Sequence, residues 1–522
     1  MDGEGTLPSA HWSGPHVLGL VSCNITQFPR SLLRSKYISY LDLSCNKISG
    51  DIPKQVWEIC SSTITYLNIS HNMFTSIGLT SDVFPFTTVL YVFDLSFNRL
   101  RGCAPMPNSS AQFLDYSNNL FSSVLPNWVS YLSYTKYLSM SRNSINGCIP
   151  FSICNAVLDV LDLSYNNLSG PIPSCIIETG QLGVLNLRKN HFEGTLPSNI
   201  ATSCSLQTLD LHGNKIQGLL PRALSHCTDL EILDVGGNRM ADIFPSWLMG
   251  FSNLRVLVLR SNQFYGTIDD TDGDTKPKEY FPSLQIMDLA SNNFSGSLRS
   301  QWFERLKMMT SKLNSSGEIL FHRNFTDQFY RDSIEISYKG SDMVFERILT
   351  TLTAIDFSSN RLEGVIPESI GRLVSLHVLN LSHNAFTGKI PAQVGGMTDL
   401  ESLDLSGNQL SGQIPQELTN LPFVDVLNLS NNHLVGKIPQ ARQFSTFDSS
   451  SFEGNSGLCG PPLSESPCGA SAFSPGVYSP NVDVVLFLFV GLGFGVGFAA
   501  AIVVKLGRIG RWFNVTARAS RT

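Results

Sequence analysis

Several sets of side chains in this 522-residue chain have types and spacings that could do chemistry. The ten histidines are scattered, and none stands in H-E-x-x-H or another metal-ligand spacing, so neither a metal nor a cofactor is expected. Acids such as Asp162, Asp210 and Asp404 recur with a fixed period, which reads as a solvated face rather than an acid–base pair. No kinase motif set is present, and the string Gly495–Ala500 fits G-x-G-x-x-A by accident, with no strand before it. An enzyme is therefore not expected. Of the eleven cysteines, Cys459 and Cys468 are close, with prolines between them, and read as a disulfide in an oxidising compartment. Cys204 and Cys227 stand at nearly equivalent places in adjacent repeats, either a pair or two buried thiols. An odd count leaves at least one cysteine free or bonded to another chain. Three cations, Arg188, Lys189 and Arg260, have the chemistry to grip carboxylates.

The elements that position these groups are repeats. The string L-x-L-x-x-N followed by Gly and Pro recurs, most clearly as Leu403, Leu405, Asn408, Gly412, Ile414 and Pro415. Its asparagines run from Asn46 to Asn432, and Cys23 takes their place in an earlier copy, giving sixteen turns. The step is constant through Asn166, Asn190, Asn214, Asn238 and Asn262, and the same step recurs through Asn360, Asn384, Asn408 and Asn432. This is a leucine-rich repeat: an α/β solenoid, a right-handed superhelix with a parallel β-sheet on its concave side. Alternation points Leu403 and Leu405 inward and Asp404 outward, so the outward positions are expected to be polar and solvated. No turn buries its leucines alone, so stability is nearly a sum of neighbour terms.

Two departures from the pattern stand out. The interval from Asn292 to Asn360 is nearly three times the regular step, placing an insertion at 300–350 rich in charge and aromatics. A long insertion in a solenoid is often a binding element, with a packing excursion over the sheet as the plainer alternative. The residue after the second strand leucine is serine in ten turns but Arg188, His212, Gly236, Arg260 and Ala290 in five successive ones, just before the insertion. The stretch from Leu168 to Asn292 also carries no glycosylation sequon. Arg188, Lys189, His212 and Arg260, with Tyr338 and Lys339 of the insertion, are thus the expected ligand-binding residues, against drift at a solvated position.

Val484 to Val504 is an unbroken run without charge or proline. As a helix it would be about 32 Å long, enough to cross the hydrocarbon core of a bilayer. Lys505, Arg508, Arg511, Arg518 and Arg521 follow it and predict a cytoplasmic C-terminus. Without those five, 31 basic residues face 42 acidic ones, and an acidic body argues against nucleic acid as partner. Gly491, Gly493, Gly495 and Gly497 form two overlapping small-xxx-small pairs, which let a partner helix approach closely. With the preceding region outside the cell, Asn24, Asn68, Asn108, Asn167, Asn293, Asn314, Asn324, Asn380 and Asn428 are glycosylation sequons there. Met1 to Cys23 has neither a basic start nor an apolar stretch of signal-peptide length. The chain is then incomplete, or its bulk stays in the cytosol behind a tail anchor.

The S-G-x-I-P string Ser411–Pro415, the insertion four repeats from the end with its Tyr338-Lys339-Gly340, the cap Leu458–Leu463, the apolar run and the basic tail together resemble plant leucine-rich-repeat receptor-like proteins. The expected plan is an unassigned segment 1–17, repeats at 18–299, the insertion at 300–350, repeats at 351–439, a cap at 440–468, a spacer at 469–483, the membrane helix at 484–504 and the tail at 505–522. The resemblance implies a plasma-membrane receptor without a kinase, binding an extracellular peptide, protein or glycan and signalling through receptor-like kinase co-receptors in defence or development. It lacks the family's signal peptide and N-terminal cap. The alternatives are an inhibitor-type solenoid that clamps a microbial enzyme, for which a membrane helix has no use, and a truncated non-signalling remnant.

Overall fold

The computed structural model describes residues 16–463, apart from 31, 33–36, 80, 109–110, 269–280, 311–323, 326–327 and 350. The spacer, apolar run and basic tail at 469–522 lie outside the described residues. Among the described residues no helix is long and apolar enough to cross a membrane.

Sixteen short strands, from Val17–Gly19 to Val426–Asn428, form one sheet in chain order. Every pairing is parallel and in register, as between Ser402–Asp404 and Val426–Asn428. The inward leucines of all the turns join one core that runs from Leu32 to Leu458. On the opposite side, 3-10 helices such as Ala392–Gly396 and Gln416–Asn420 each follow a proline, whose fixed φ suits a helix start. Between the two layers, second strands form lateral sheets of five and seven strands.

The regular spacing of asparagine has a direct cause. Asn408 donates to the carbonyls of Leu381 in the preceding turn (3.0 Å) and of Leu405 and Ser406 in its own (3.1 Å each). Its Oδ1 accepts from the Phe386 N–H at 3.0 Å. Four backbone groups that the core would otherwise strand are satisfied by one amide. The ladder extends one step beyond the L-x-L-x-x-N pattern: Asn455, inside the cap, accepts from Leu434 N–H and donates to Leu429 and Phe452. At the other end Cys23 mimics the amide with a single bond, Sγ to the Val21 carbonyl.

Two cysteine pairs close in or just after the helical segments opposite the sheet, Cys204–Cys227 and Cys154–Cys175. The first settles the alternative that spacing leaves open; nothing in the spacing anticipates the second. Cys459 is also disulfide-bonded, while Cys468, its expected partner, lies outside the described residues. Cys23, Cys45, Cys60, Cys103 and Cys148 are free.

One expectation fails. The outward-facing residue before the first strand leucine is apolar in most turns. Val92, Phe113, Tyr137, Val160 and Val184 form one buried cluster on the concave face, and Ile232, Val256, Ile286, Ala354 and Val378 belong to another. The concave sheet therefore has a second layer, supplied by the insertion. The strand acids are not simply solvated either. Asp162 is buried, and its Oδ1 accepts the Ser164 backbone N–H at 3.0 Å, a cap repeated by Asp42, Asp94, Asp234 and Asp356.

Candidate functional site

The insertion leaves the solenoid later than its sequence bounds suggest. Trp302, Phe303, Leu306 and Met309 still pack in the solenoid core. Further along, Ile334–Tyr338 and Ser341–Phe345 form an antiparallel hairpin, turned at Lys339 and Gly340, both with positive φ. Alternation places Ile334 and Ile336 on the concave sheet, where with Ile348 and Leu352 they cover Ile232, Val256, Val258 and Ile286. Upstream, the Tyr330 hydroxyl accepts from Asn186 at 2.9 Å.

This contact explains the five turns that lack the consensus serine. Covering the sheet strips water from the strand acids, and their charges then need partners. Arg188, fully buried, donates to Asp210 (3.2 Å) and Asp234 (3.0 Å) of the next two turns and to Glu335 of the hairpin (2.9 Å). Burial opposes its charge, but Asp210 and Asp234 outweigh that and hold its pKa above the usual arginine value. His212 Nδ1 lies 3.1 Å from Asp234, and Lys189 Nζ lies 3.1 Å from Glu335. Arg260 reaches Asp288 at 3.4 Å and Asp342 of the hairpin at 3.3 Å. Gly236 is glycine because its neighbours fill the space: a Cβ there would meet His212 Nδ1 at 2.7 Å and Arg260 Cγ at 3.1 Å. Ala290 is buried beside them.

The acids divide by their surroundings. Asp234, although buried, is held below the usual carboxylate range by His212 and Arg188. Asp210 is pushed up to about 7, chiefly by burial. Asp288 is driven well up by burial and by Asp356 beside it. Glu335, despite partial burial, is lowered by its bonds to Lys189 and Arg188.

The hairpin's turn is tied down as well. The Tyr338 hydroxyl bonds the Glu401 carboxylate, and Lys339 Nζ pairs with Glu401 (3.3 Å) and Asp425 (3.2 Å). The six residues expected to bind a ligand thus lie along one face, and all six face partners within this chain. Lys189 and Lys339 keep more than a third of their side chains exposed. The alternative of drift at a solvated position does not describe Arg188 or His212, which are buried. Sequence reasoning missed the apolar column and the alternation of Ile334, Glu335 and Ile336, which together signal a covered sheet.

Beside the hairpin's edge the sheet stays open among the described residues. A cleft of about 560 Å³ is lined by Tyr137, Tyr165 and Tyr330, by Arg142 and Arg347 and by Asp162, among others. Arg142 stacks over the Tyr165 ring at 4.5 Å and pairs with Glu346 at 2.8 Å. Charged and aromatic groups side by side suit a polar, extended ligand rather than a bond-breaking step. Among the described residues no cluster of His, Cys, Asp or Glu could hold a metal.

The fold and its roofed concave face define a leucine-rich-repeat solenoid. The family model for leucine rich repeats matches residues 203–264, and a second leucine-rich-repeat model matches six stretches from 37–58 to 399–421. The chain is 45% identical over 506 residues to Receptor like protein 22 of Arabidopsis thaliana, covering 95% of this chain and 61% of that one. It is 44% identical to Receptor-like protein 7 and 38% identical to Receptor-like protein 35 of the same plant, each over 69% of this chain. It spans about a third of those two relatives' lengths, 35% and 33%. The chain belongs to the plant leucine-rich-repeat receptor-like proteins. Among solved structures, the receptor kinase HAESA of Arabidopsis, in complex with the peptide hormone IDA and the co-receptor SERK1, is 28% identical with a TM-score of 0.61, covering 85% of this chain and 66% of that one. A TDR receptor is 23% identical with a TM-score of 0.65, over 84% and 68% of the two chains, and shows the shared fold.

Proposed function

We propose that the protein is a non-catalytic cell-surface receptor whose solenoid binds an extracellular peptide along the concave face and which signals through a partner receptor kinase. The observation that carries this reading is the open cleft at the edge of the clamped hairpin, where Tyr137, Tyr165, Arg142 and Arg347 share one concave surface. The HAESA complex, with a peptide hormone and a co-receptor, supports a peptide ligand and a co-receptor here. In this reading the right-handed solenoid stands outside the plasma membrane, 484–504 crosses it once, and 505–522 is cytoplasmic. Gly491, Gly493, Gly495 and Gly497 dock the partner's helix. Lys189 and Lys339 are the two of the six expected residues that a ligand reaches without moving the hairpin. Cys459 and Cys468 seal the cap. Asn24, Asn108 and Asn167 are exposed and accept glycans, whereas Asn68 is buried on the sheet and does not. Asn314 lies outside the described residues.

Replacing the four glycines with leucine tests the signalling half. Co-purification with a receptor kinase should fall while the surface level holds. Unchanged association would remove the membrane segment from the contact. Glycosidase digestion of the protein expressed in plant cells tests the topology, and unaltered mobility would refute an extracellular solenoid.

A further inference from the structure

The cations gathered beneath the hairpin are a binding site that already holds an occupant. One oxygen of Glu335, Oε2, receives Arg188 Nη2 at 2.9 Å and Lys189 Nζ at 3.1 Å, with His212 Nε2 at 3.9 Å. The three groups stand on two adjacent turns of the sheet, and the carboxylate comes from a separate element. The cradle is preformed on its sheet side: Arg188 is oriented by Asp210 and Asp234, and His212 by Asp234. It is also reachable, because Lys189 is 38% and Glu335 21% exposed while Arg188 is fully buried behind them. Nothing in the bonding is peculiar to a carboxylate joined to this chain.

We propose that Arg188, Lys189 and His212 form a carboxylate-binding subsite, that Glu335 is its internal occupant, and that a carboxylate-bearing ligand takes the site by displacing Glu335 and loosening the hairpin. This rests on the receptor reading for its purpose but not for its chemistry. Seating of the strand Ile334–Tyr338 and binding of an external carboxylate are then mutually exclusive at this point, so each weakens the other. The apolar contacts of Ile334 and Ile336 oppose release, which makes the hairpin a competitor that selects against weak anions.

The test is chemical rescue in the purified full chain, read by amide hydrogen exchange across 334–345. Glu335→Ala removes the carboxylate and leaves room for another. Exchange of that strand should rise about tenfold or more, as expected for a lost charge-assisted bond. Sodium propionate should then slow it again, and sodium chloride at equal ionic strength should not. Lys189→Gln in the Glu335→Ala background should weaken the rescue. Glu335→Gln keeps the side chain's bulk without its charge, so it should loosen the strand without being rescued. The proposal fails if Glu335→Ala exchanges like the wild type, if chloride rescues as well as propionate, or if propionate rescues Glu335→Gln equally. None of these readouts depends on signalling. A failed rescue therefore removes the subsite, whereas loss of kinase co-purification bears only on the receptor reading.

Discussion

Gly236 occupies the position where ten other turns carry serine, so Gly236→Ser restores the repeat's own consensus and should nevertheless destabilise the protein. The backbone poses no obstacle, since Gly236 does not have a positive φ. Replacing a glycine at such a position ordinarily stabilises by about 0.4–1 kcal/mol through the unfolded chain. Space decides against it. The added Cβ would lie 2.7 Å from His212 Nδ1, 3.1 Å from Arg260 Cγ and 3.1 Å from Asp234 Oδ1. The His212 ring has to turn away, breaking its contact with Asp234, a charge-assisted bond worth about 1.5–3 kcal/mol. Crowding in a packed site adds about 1–3 kcal/mol. The net loss is about 1.5–5.5 kcal/mol once the opposing gain is subtracted. Thermal unfolding combined with hydrogen exchange should show a lower midpoint and faster exchange in both the Asn238 turn and the hairpin. Adding Gly236→Ser to His212→Ala should cost less than adding it to the wild type, because the tightest contact, with the ring, is gone and only the 3.1 Å contacts with Arg260 and Asp234 remain. A Gly236→Ser protein that melts at or above the wild type would refute the packing argument.

Other outcomes follow from the same geometry. Asp94 and Asp162 are buried and pushed up to about 6, chiefly by burial. A folded pKa above the unfolded one gives stability that is full below about 4 and lost as pH rises through 6. The melting midpoint should therefore be higher at pH 5 than at pH 8, and Asp94→Asn/Asp162→Asn should reduce that difference, leaving the part due to Asp115 and Asp210, which burial raises as well. Asparagine keeps the cap, as Asn68 and Asn186 do at the equivalent position. Asn214→Ala removes three donated bonds and one accepted bond in the core, and should cost about 2–4 kcal/mol in denaturant unfolding, with exchange loosened mainly in adjoining turns. Cys204→Ser/Cys227→Ser opens a cross-link between residues 23 apart and should cost about 2–4 kcal/mol in the same assay.

Most of the solenoid is legible because each turn obeys a local rule. The position of Asn408 relative to Leu405 fixes the ladder bonds, and a positive φ one residue earlier explains why Gly213, Gly237 and Gly407 can replace Lys189 or Tyr165 there. The site is legible only in part. The five-turn break from serine marks the surface that the hairpin covers, but the partner of those side chains lies far away in sequence. Arg188 and Glu335 are 147 residues apart, and no periodic signal links them. A cation on a concave strand looks the same whether it awaits a ligand or neutralises a covered acid. The distinguishing feature is the apolar column at Ile232, Val256 and Ile286, whose burial depends on an element outside the repeat. Cys154–Cys175 escaped for a related reason, since its 21-residue separation does not match the local period.

The hairpin measures distance along the sheet. Its carboxylates Glu335 and Asp342 meet Arg188 and Arg260, and its turn meets Glu401 and Asp425, each on a particular turn of the coil. A repeat gained or lost between the Asn190 and Asn432 turns would move one set of contacts by about one strand spacing, roughly 4.8 Å, relative to the other. The ion pairs would fall out of reach. Repeats are readily duplicated and deleted by unequal recombination, and along a uniform solenoid such changes are nearly neutral. Under the hairpin they are not. The number of turns there should be fixed in descendants of this gene, while the turns before Asn143, which the described hairpin does not touch, remain free to vary in number.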